Sequence, residues 1–172
     1  ERIWRMPETR FCFTPPVEWI EVVESPALKN GFVTFGSFNH LSKLTDSTVS
    51  VWVQILLALP DSRLFLKSKQ LDDQAVRTDT SLRFESYGIK PERITLEGGS
   101  PRHEYLYAYN RVDIALDPFP YTGGTTSCEA LWMGVPVLTK KGDSLLSRQG
   151  EGIAQNSGHS NWVAADEVDY VA

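Results

Sequence analysis

The sequence has few of the residues on which metal and disulfide chemistry depends. Its 172 residues include three histidines and two cysteines, Cys12 and Cys128. The histidines are scattered, and no group of cysteine, histidine and carboxylate residues has the spacing of a metal site. Because Cys12 lies in an entry segment and Cys128 inside a predicted helix, we expect no disulfide between them. The cysteine usage predicts a reducing compartment or no redox role. We expect a cytoplasmic location, and the sequence indicates no bound metal.

Long apolar runs and basic blocks are also absent. No apolar run approaches ~18 residues, the length at which a membrane helix becomes a candidate. The net charge of −5 and the lack of a lysine or arginine block argue against a nucleic-acid surface. No signal-peptide pattern begins at Glu1, and the missing initiator methionine indicates a piece of a longer protein. The content of 41% hydrophobic and 23% charged residues is typical of a globular domain with a substantial core.

The stretch from residue 112 to residue 139 organises the rest of the chain. The apolar run over residues 112–116 predicts a buried parallel strand, which the following Asp-Pro-Phe-Pro sequence ends because neither a helix nor a central strand can continue through it. The glycine pair at 123–124 allows a tight turn, and a threonine after it can cap the next helix. That helix ends at Gly134, and residues 136–139 predict another strand.

This order of elements predicts an anion site. A helix that starts at the carboxyl edge of a parallel sheet presents unpaired N–H groups and a partial positive charge. Gly123 and Gly124 let an oxygen-rich ligand approach the backbone, and the hydroxyls of Thr125 and Thr126 can donate to it. One turn later, the carboxylate of Glu129 can accept hydrogen bonds from a sugar diol. The combination suits a diphosphate joined to a ribose.

A second interpretation of the same residues stays open. Thr126 and Glu129 have the spacing of a capping box, in which the glutamate would bond to the start of its own helix. In that case Glu129 would have a structural role. The spacing does not decide between the two interpretations.

The central residues resemble a known family. The string E-A-L-W-M-G-V-P-V-L-T from Glu129 resembles the nucleotide-sugar site of GT-B glycosyltransferases, which have two facing Rossmann-like halves. The longer string F-P-Y-T-G-G-T-T-S-C-E-A-L-W-M-G-V-P-V is similar to the family of protein O-GlcNAc transferases and their SPINDLY relatives. The resemblance covers residues 5–172 and corresponds to the second, C-terminal half of the family's catalytic unit. It implies a preceding half and helical repeats that recruit protein substrates.

Lys43 follows the first predicted strand. A lysine four residues past the loop at the end of a strand can reach a phosphate as a point charge, although on its own it would more often be a surface lysine. The string F-G-S-F-N-H-L-S-K-L-T resembles the family segment F-x-x-F-N-x-x-x-K, whose lysine contacts the diphosphate. The resemblance therefore implies that Lys43 stabilises the leaving group. Asn39, in the loop at the ligand edge of the sheet, is a candidate substrate-binding residue.

A glycine loop and a tyrosine-rich helix form a candidate nucleobase site. Backbone amides of the loop over residues 97–100 can read a base edge, and Tyr105 can stack on its face. In the family this loop and the following helix hold the base, which implies roles for Ser100, Arg102 and Tyr105, although relatives commonly have histidine at the position of Tyr105. Arg148, in a family-like S-R-x-G segment, is a secondary candidate near the sugar-phosphate cleft, and a solvated arginine is the alternative.

The alternation of apolar strands and helices predicts a doubly wound α/β domain, Rossmann-like, with five or six parallel strands and helices on both faces. Residues 1–30 are punctuated by prolines and lack a sustained period, which indicates a connector packed over a surface. The nucleotide-sugar-binding domain is predicted for residues 31–172, truncated at both ends.

The resemblance implies inverting glycosyl transfer to a protein Ser or Thr hydroxyl, with no metal and no cofactor. The donor is UDP-GlcNAc or GDP-fucose, and Gly124 and Cys128 make the central string more similar to the SPINDLY branch, which in plants uses GDP-fucose. We assign no acceptor base in this chain, and we expect the isolated fragment to bind nucleoside diphosphate weakly and to transfer nothing. No nucleic acid or membrane is implied as a partner.

Two other classes of protein remain as alternatives. A nucleotide-sugar-binding scaffold or sensor would have the same site without turnover. A phospho-receiver signalling domain also has an aspartate at a strand end, like Asp117, but it requires an acidic pair after its first strand, where this chain has residues 36–39, Gly-Ser-Phe-Asn.

Overall fold

Six short strands form one sheet. The structure, a computed structural model, describes residues 9–17 and 19–172. In chain order the strands are β1 (Thr34–Ser37), β2 (Arg63–Lys67), β3 (Ile94–Glu97), β4 (Ile114–Leu116), β5 (Val137–Lys140) and β6 (Val163–Ala164). Neighbouring strands of this sheet pair in parallel, in the order β3-β2-β1-β4-β5-β6. The predicted doubly wound α/β fold is confirmed.

Helices connect the strands. They are α1 (Ala27–Asn30), α2 (Asp46–Ala58), α3 (Gln74–Glu85), α4 (Arg102–Tyr107), α5 (Thr125–Trp132), α6 (Gln149–Asn156) and α7 (Glu167–Val171). Short 3-10 turns supplement them at Leu41–Lys43, Lys69–Asp72, Pro91–Arg93, Ala108–Arg111 and Ser160–Trp162. Within the described ranges, none of these helices is long and apolar enough to cross a lipid bilayer.

The sheet has a core on each face. Because side chains alternate along a strand, Leu64 and Leu66 of β2 pack into one core while Phe65 packs into the other. The first core also contains Trp52 of α2, Phe84 of α3 and Tyr170 of α7, and the second contains Phe38, Leu106, Tyr109 and Met133. Burial on both faces explains why β4 and the centre of β2 are continuously apolar in sequence.

The described part of the predicted connector packs along α5. The ring of Phe13 lies 6.2 Å from that of Trp132. Ile20 belongs to the second core, and the backbone N–H of Ala27 donates to Asp113 at 2.8 Å. The parts of the connector prediction that concern residues 1–8 and 18 lie outside the described residues.

The strand order reverses beside β1. The chain proceeds from β1 to β2 on one side and later adds β4 on the other side of β1. In open α/β sheets the crevice at such a switch point, outside the carboxyl ends of the strands, is the usual ligand position. The segments after β1 and β4 meet there, since the hydroxyls of Thr45 and Thr48 donate to the carbonyl of Phe119 at 3.0 and 2.6 Å.

The buried hydroxyl of Tyr170 joins α7 to this edge of the sheet. It donates to the carbonyl of Asp117 at 2.9 Å and to that of Leu138 at 3.2 Å. We expect Tyr170→Phe to lower the free energy of unfolding by about 1–3 kcal/mol, because buried carbonyls would lose this donor. Urea unfolding measures the change. The control is Tyr107→Phe at a half-exposed tyrosine, and equal loss in both variants would contradict the expectation.

Candidate functional site

The start of α5 is not capped by a side chain. Gly124 is the N-cap residue, and Thr125 and Thr126 are the first residues of the helix. The expected threonine cap is therefore wrong, because the helix begins one residue earlier than a threonine cap requires. The first N–H groups of an α-helix have no partner inside the helix. They lie where α5 follows β4 at the carboxyl edge of the sheet, and they carry the partial positive charge of the helix terminus.

The capping-box interpretation is also wrong. The hydroxyl of Thr126 donates to Oδ1 of Asn39 at 3.0 Å instead of bonding to its own helix. Glu129 bonds to Arg102 and Tyr105 across the site. The side chains of Thr126 and Glu129 thus bond to residues far away in the sequence and not to the start of their own helix.

Lys43 faces this helix start. Its Nζ donates to the carbonyl of Thr122 at 3.0 Å and to Oδ1 of Asn39 at 3.3 Å, and it lies 4.0 Å from the centroid of the Tyr121 ring. Burial lowers the pKa of Lys43, and the negative charge of Asp117 opposes that change. An ammonium has three donors, so one remains for a ligand beside the two bonds described.

Asn39 joins the two halves of the site. The residue is 5% exposed, and its Oδ1 accepts hydrogen bonds from both Lys43 and Thr126. The amide therefore fixes the distance between the lysine, which follows β1, and the first turn of α5, which follows β4. The structure brings together the predicted residues Asn39, Lys43, Gly123, Gly124, Thr125 and Thr126.

Gly123 has no room for a side chain. A Cβ atom there would lie 2.0 Å from Oγ of Ser127 and 2.6 Å from Oδ1 of Asp117. The turn before α5 can follow its path only with glycine at this position. At Gly124 a Cβ would meet the ring of Phe11 at 3.2 Å, which is a tighter approach than usual.

Glu129 lies one turn into α5, where it was expected. Its carboxylate is 4% exposed, forms an ion pair with Arg102, and accepts a hydrogen bond of 3.0 Å from the hydroxyl of Tyr105. Burial, together with the charge of Glu129, raises the pKa of Tyr105. Since an ionised carboxylate has about four acceptor positions, Glu129 retains capacity for a ligand hydroxyl.

Ser100 and Tyr105 lie on different sides of α4. Tyr105 packs against Phe38 and Tyr109, with ring centroids 5.6 and 5.9 Å away. Ser100 instead lines a cavity of about 440 Å³, and its buried hydroxyl has no hydrogen-bond partner among the residues that the structure describes. The other residues that line this cavity are Lys67, Glu97, His103, Glu104, Tyr107, Ala108 and Arg111. Ser100 and Tyr105 therefore do not face one cavity in this structure.

Within the described residues, the side chain of Arg148 forms no hydrogen bond with the group around Lys43. Its Nε donates to Glu151 at 2.7 Å, and about half of its side chain is exposed. The hydrogen bond and the negative charge of Glu151 raise the pKa of Arg148. The first turn of α6 does reach the site, because the N–H of Gly150 donates to the hydroxyl of Thr122 at 3.0 Å.

Comparison with known proteins assigns this chain to a family. The sequence profile of glycosyl transferase family 41 matches residues 20–172. This chain belongs to glycosyltransferase family 41. The predicted resemblance is thereby confirmed.

Relatives within family 41 are similar over almost the whole chain. A probable UDP-N-acetylglucosamine–peptide N-acetylglucosaminyltransferase SPINDLY from Solanum lycopersicum is 42% identical over 99% of this chain and 18% of its own length. The Arabidopsis thaliana protein of the same name is 40% identical over 99% of this chain and 19% of its length. This chain therefore spans less than a fifth of the SPINDLY proteins that it matches.

Solved structures support the family assignment. An O-GlcNAc transferase mutant from Thermobaculum terrenum superposes with a TM-score of 0.83 at 36% identity, over 92% of this chain and 29% of that one. A sucrose-phosphate synthase from Thermosynechococcus elongatus has a TM-score of 0.52 at 16% identity, over 80% of this chain and 40% of that one, and shares the fold alone.

Sequence reasoning missed several residues of this candidate site. Thr122 contacts both Lys43 and Gly150, and Ser127 donates to Asp117 at 2.8 Å. Asp117 itself was considered only for a phospho-receiver, yet it is 2% exposed and covered by the glycines at 123 and 150. The sequence feature that could have identified Asp117 is its position directly after a buried strand. Within the described chain, no group of three or more cysteine, histidine and carboxylate residues could hold a metal ion.

The tight packing at Gly123 makes a testable prediction. We expect Gly123→Ala to lower the free energy of unfolding by about 1–3 kcal/mol, because the added methyl overpacks the buried contact between Ser127 and Asp117. Thermal unfolding followed by circular dichroism measures the change. The matched control is Gly152→Ala in α6, where a Cβ meets nothing within 4 Å. A Gly123→Ala variant as stable as the control would show that the turn has room to adjust.

Proposed function

We propose that the full-length protein transfers a sugar from a nucleoside diphosphate sugar to Ser or Thr hydroxyls of proteins, and that this chain holds the donor. The observation that carries the proposal is the arrangement of Lys43 and the uncapped start of α5, both bonded to Asn39 at the switch point of the sheet. The names of the relatives, which specify a UDP-sugar and a peptide, support the same reaction class.

The chemistry of leaving-group departure explains this arrangement. As the bond between sugar and phosphate breaks, negative charge accumulates on the diphosphate. Lys43 supplies a full positive charge, and the amides at the start of α5 supply preorganised donors. A helix terminus contributes about 0.3–1 kcal/mol when exposed and up to ~2 kcal/mol when partly buried. The lysine and several N–H bonds must therefore act together.

The carboxylate of Glu129 is the proposed ribose acceptor. Arg102 and Tyr105 hold it in one orientation, and its remaining acceptor positions are available for the two ribose hydroxyls. The backbone amides of the loop over residues 97–100 are the proposed base-reading group, because the side chain of Ser100 lines a cavity that Tyr105 does not share. Two hydrogen bonds hold that loop in place. Lys67 donates to the carbonyl of Gly98 at 3.1 Å, and Asp72 accepts a hydrogen bond from the N–H of Gly99 at 2.9 Å.

Inversion at the sugar requires an acceptor hydroxyl and a base on the face opposite the diphosphate, and we assign neither to this chain. We propose that no divalent cation takes part, because Lys43 and the helix terminus provide the charge that a cation would provide. The proposed compartment is the cytoplasm.

Replacement of Lys43 tests the reaction. We expect Lys43→Ala in the full-length protein to reduce transfer by about 10²–10³-fold, the usual effect of removing one charge-stabilising donor, while the thermal unfolding midpoint changes little. The assay is the initial rate of nucleoside diphosphate release from UDP-GlcNAc and GDP-fucose with a Ser/Thr peptide library. Lys90→Ala, at an exposed lysine, is the control. Unchanged turnover in Lys43→Ala would remove Lys43 from the site.

Nucleotide binding tests the donor class and distinguishes a transferase from a scaffold. We expect UDP or GDP to raise the unfolding midpoint of the full-length protein more than the corresponding monophosphate, because ligand that binds the native state alone stabilises it and the diphosphate makes the main contacts. Equal shifts with mono- and diphosphates would contradict this expectation. Binding without transfer under any donor and peptide would favour the non-catalytic scaffold.

A further inference from the structure

A buried carboxylate lies directly beneath the proposed diphosphate site. Asp117 follows β4 and is 2% exposed. Its Oδ1 accepts a hydrogen bond of 2.8 Å from Ser127, which is in the first turn of α5. The other oxygen, Oδ2, makes no well-aligned hydrogen bond with the described residues, and neither does the buried hydroxyl of Thr139, although Thr139 lies close enough to lower the pKa of Asp117.

These two oxygens lie against the same glycine. A Cβ atom at Gly150 would be 2.0 Å from Oγ1 of Thr139 and 2.7 Å from Oδ2 of Asp117. A hydroxyl beside a carboxyl group can act in either direction. Thr139 can donate to the carboxylate, and the carboxylic acid can donate to Thr139. The surroundings of Asp117 therefore suit both of its protonation states.

Lys43 is the cation that acts on Asp117. The titratable groups that interact with the aspartate come from several elements: Lys43 after β1, Tyr109 after α4, Cys128 in α5 and Tyr170 in α7. The last three are neutral at pH 7, since burial, reinforced by the negative charge of Asp117, raises the pKa of each of them. Of these groups, the charged ones at pH 7 are thus one lysine, Lys43, and one aspartate, Asp117.

Burial raises the pKa of Asp117 to about 6, against the opposing effects of the Ser127 hydrogen bond, the nearby Thr139 hydroxyl, the backbone N–H of Gly123 and the charge of Lys43. A diphosphate at Lys43 would add negative charge beside the aspartate. It would also compete with the aspartate for the positive charge of Lys43. Both changes disfavour the ionised carboxylate and raise its pKa further. The free site is therefore mostly ionised at neutral pH, and the occupied site binds a proton more readily.

We propose that Asp117 takes up a proton from solvent when a nucleoside diphosphate sugar occupies the site formed by Lys43 and the start of α5. The inference rests on the proposed function of that site. In the step, the carboxylate and one solvent proton become a carboxylic acid, whose Oδ2–H donates to Thr139 while Oδ1 still accepts from Ser127. No bond of the donor changes. Asp117 thus adjusts the charge of the donor site without touching the donor.

The sign of the linked pH effect follows. Because the occupied site has the higher pKa, donor affinity increases as the pH falls through the pKa of the occupied state and becomes constant below that of the free state. If occupation raises the pKa by one unit, the affinity increases by about tenfold from its high-pH limit to its low-pH limit.

Calorimetry measures the proton directly. The full-length protein is titrated at pH 7 with UDP-GlcNAc and with GDP-fucose in buffers of different ionisation enthalpy, because the phosphates of a nucleotide sugar have no group that titrates near that pH. We expect the wild type to take up a positive fraction of a proton per donor bound, and we expect that uptake to be lost in Asp117→Asn. The asparagine keeps the shape of the aspartate side chain and can still accept the hydrogen bond from Ser127. Asp113→Asn is the matched control at the other end of β4, where the carboxylate accepts the N–H groups of Ala27 and Thr34. It should retain the wild-type uptake.

Each outcome decides a different question. Donor binding without proton uptake, or equal uptake in Asp117→Asn, overturns the inference and leaves the proposed function intact. No binding of either nucleotide sugar to the wild type overturns the proposed function and the inference with it. If Asp117→Asn does not fold, infrared difference spectra of the wild type with isotope-labelled aspartate replace it. The appearance of a protonated carboxyl band on donor binding supports the inference, and its absence overturns it.

Discussion

The hydrogen bonds of one amide, that of Asn39, connect the two parts of the proposed donor site. Its Oδ1 accepts from the ammonium of Lys43 and from the hydroxyl of Thr126. Those partners belong to segments that follow β1 and β4, which are neighbours in the sheet but far apart in sequence. The strand order makes the meeting possible, because the reversal beside β1 leaves a crevice between the two strand ends. The amide then fixes a cation opposite a helix terminus.

Much of the fold could be predicted from the sequence. Apolar runs of strand length, punctuated by glycine and proline, indicated a doubly wound α/β domain, because strands buried on both faces have few polar residues. The turn at Gly123 and Gly124 was predicted for the same local reason. The exact start of α5 was not, because Gly124 and Thr125 are both acceptable at a helix start and packing decides between them.

The site could be predicted only in part. Lys43 has no local feature that separates it from a surface lysine, and its selection depended on family resemblance. Arg102 and Tyr105 both bond to Glu129, from which they are separated by 27 and 24 positions in the sequence. Local spacing cannot reveal such contacts. The packing of Asp117 against Gly150 and Thr139 likewise depends on three separate segments. Local pattern therefore indicated which turn is the candidate anion site but not which side chains support it.

The most direct measurement of the central claim is a crystal structure of the full-length protein with UDP or GDP bound. The account predicts that the diphosphate lies within hydrogen-bond distance of Nζ of Lys43 and of the backbone amides of Thr125 and Thr126. A diphosphate bound elsewhere, with Lys43 still bonded only to Thr122 and Asn39, would contradict it.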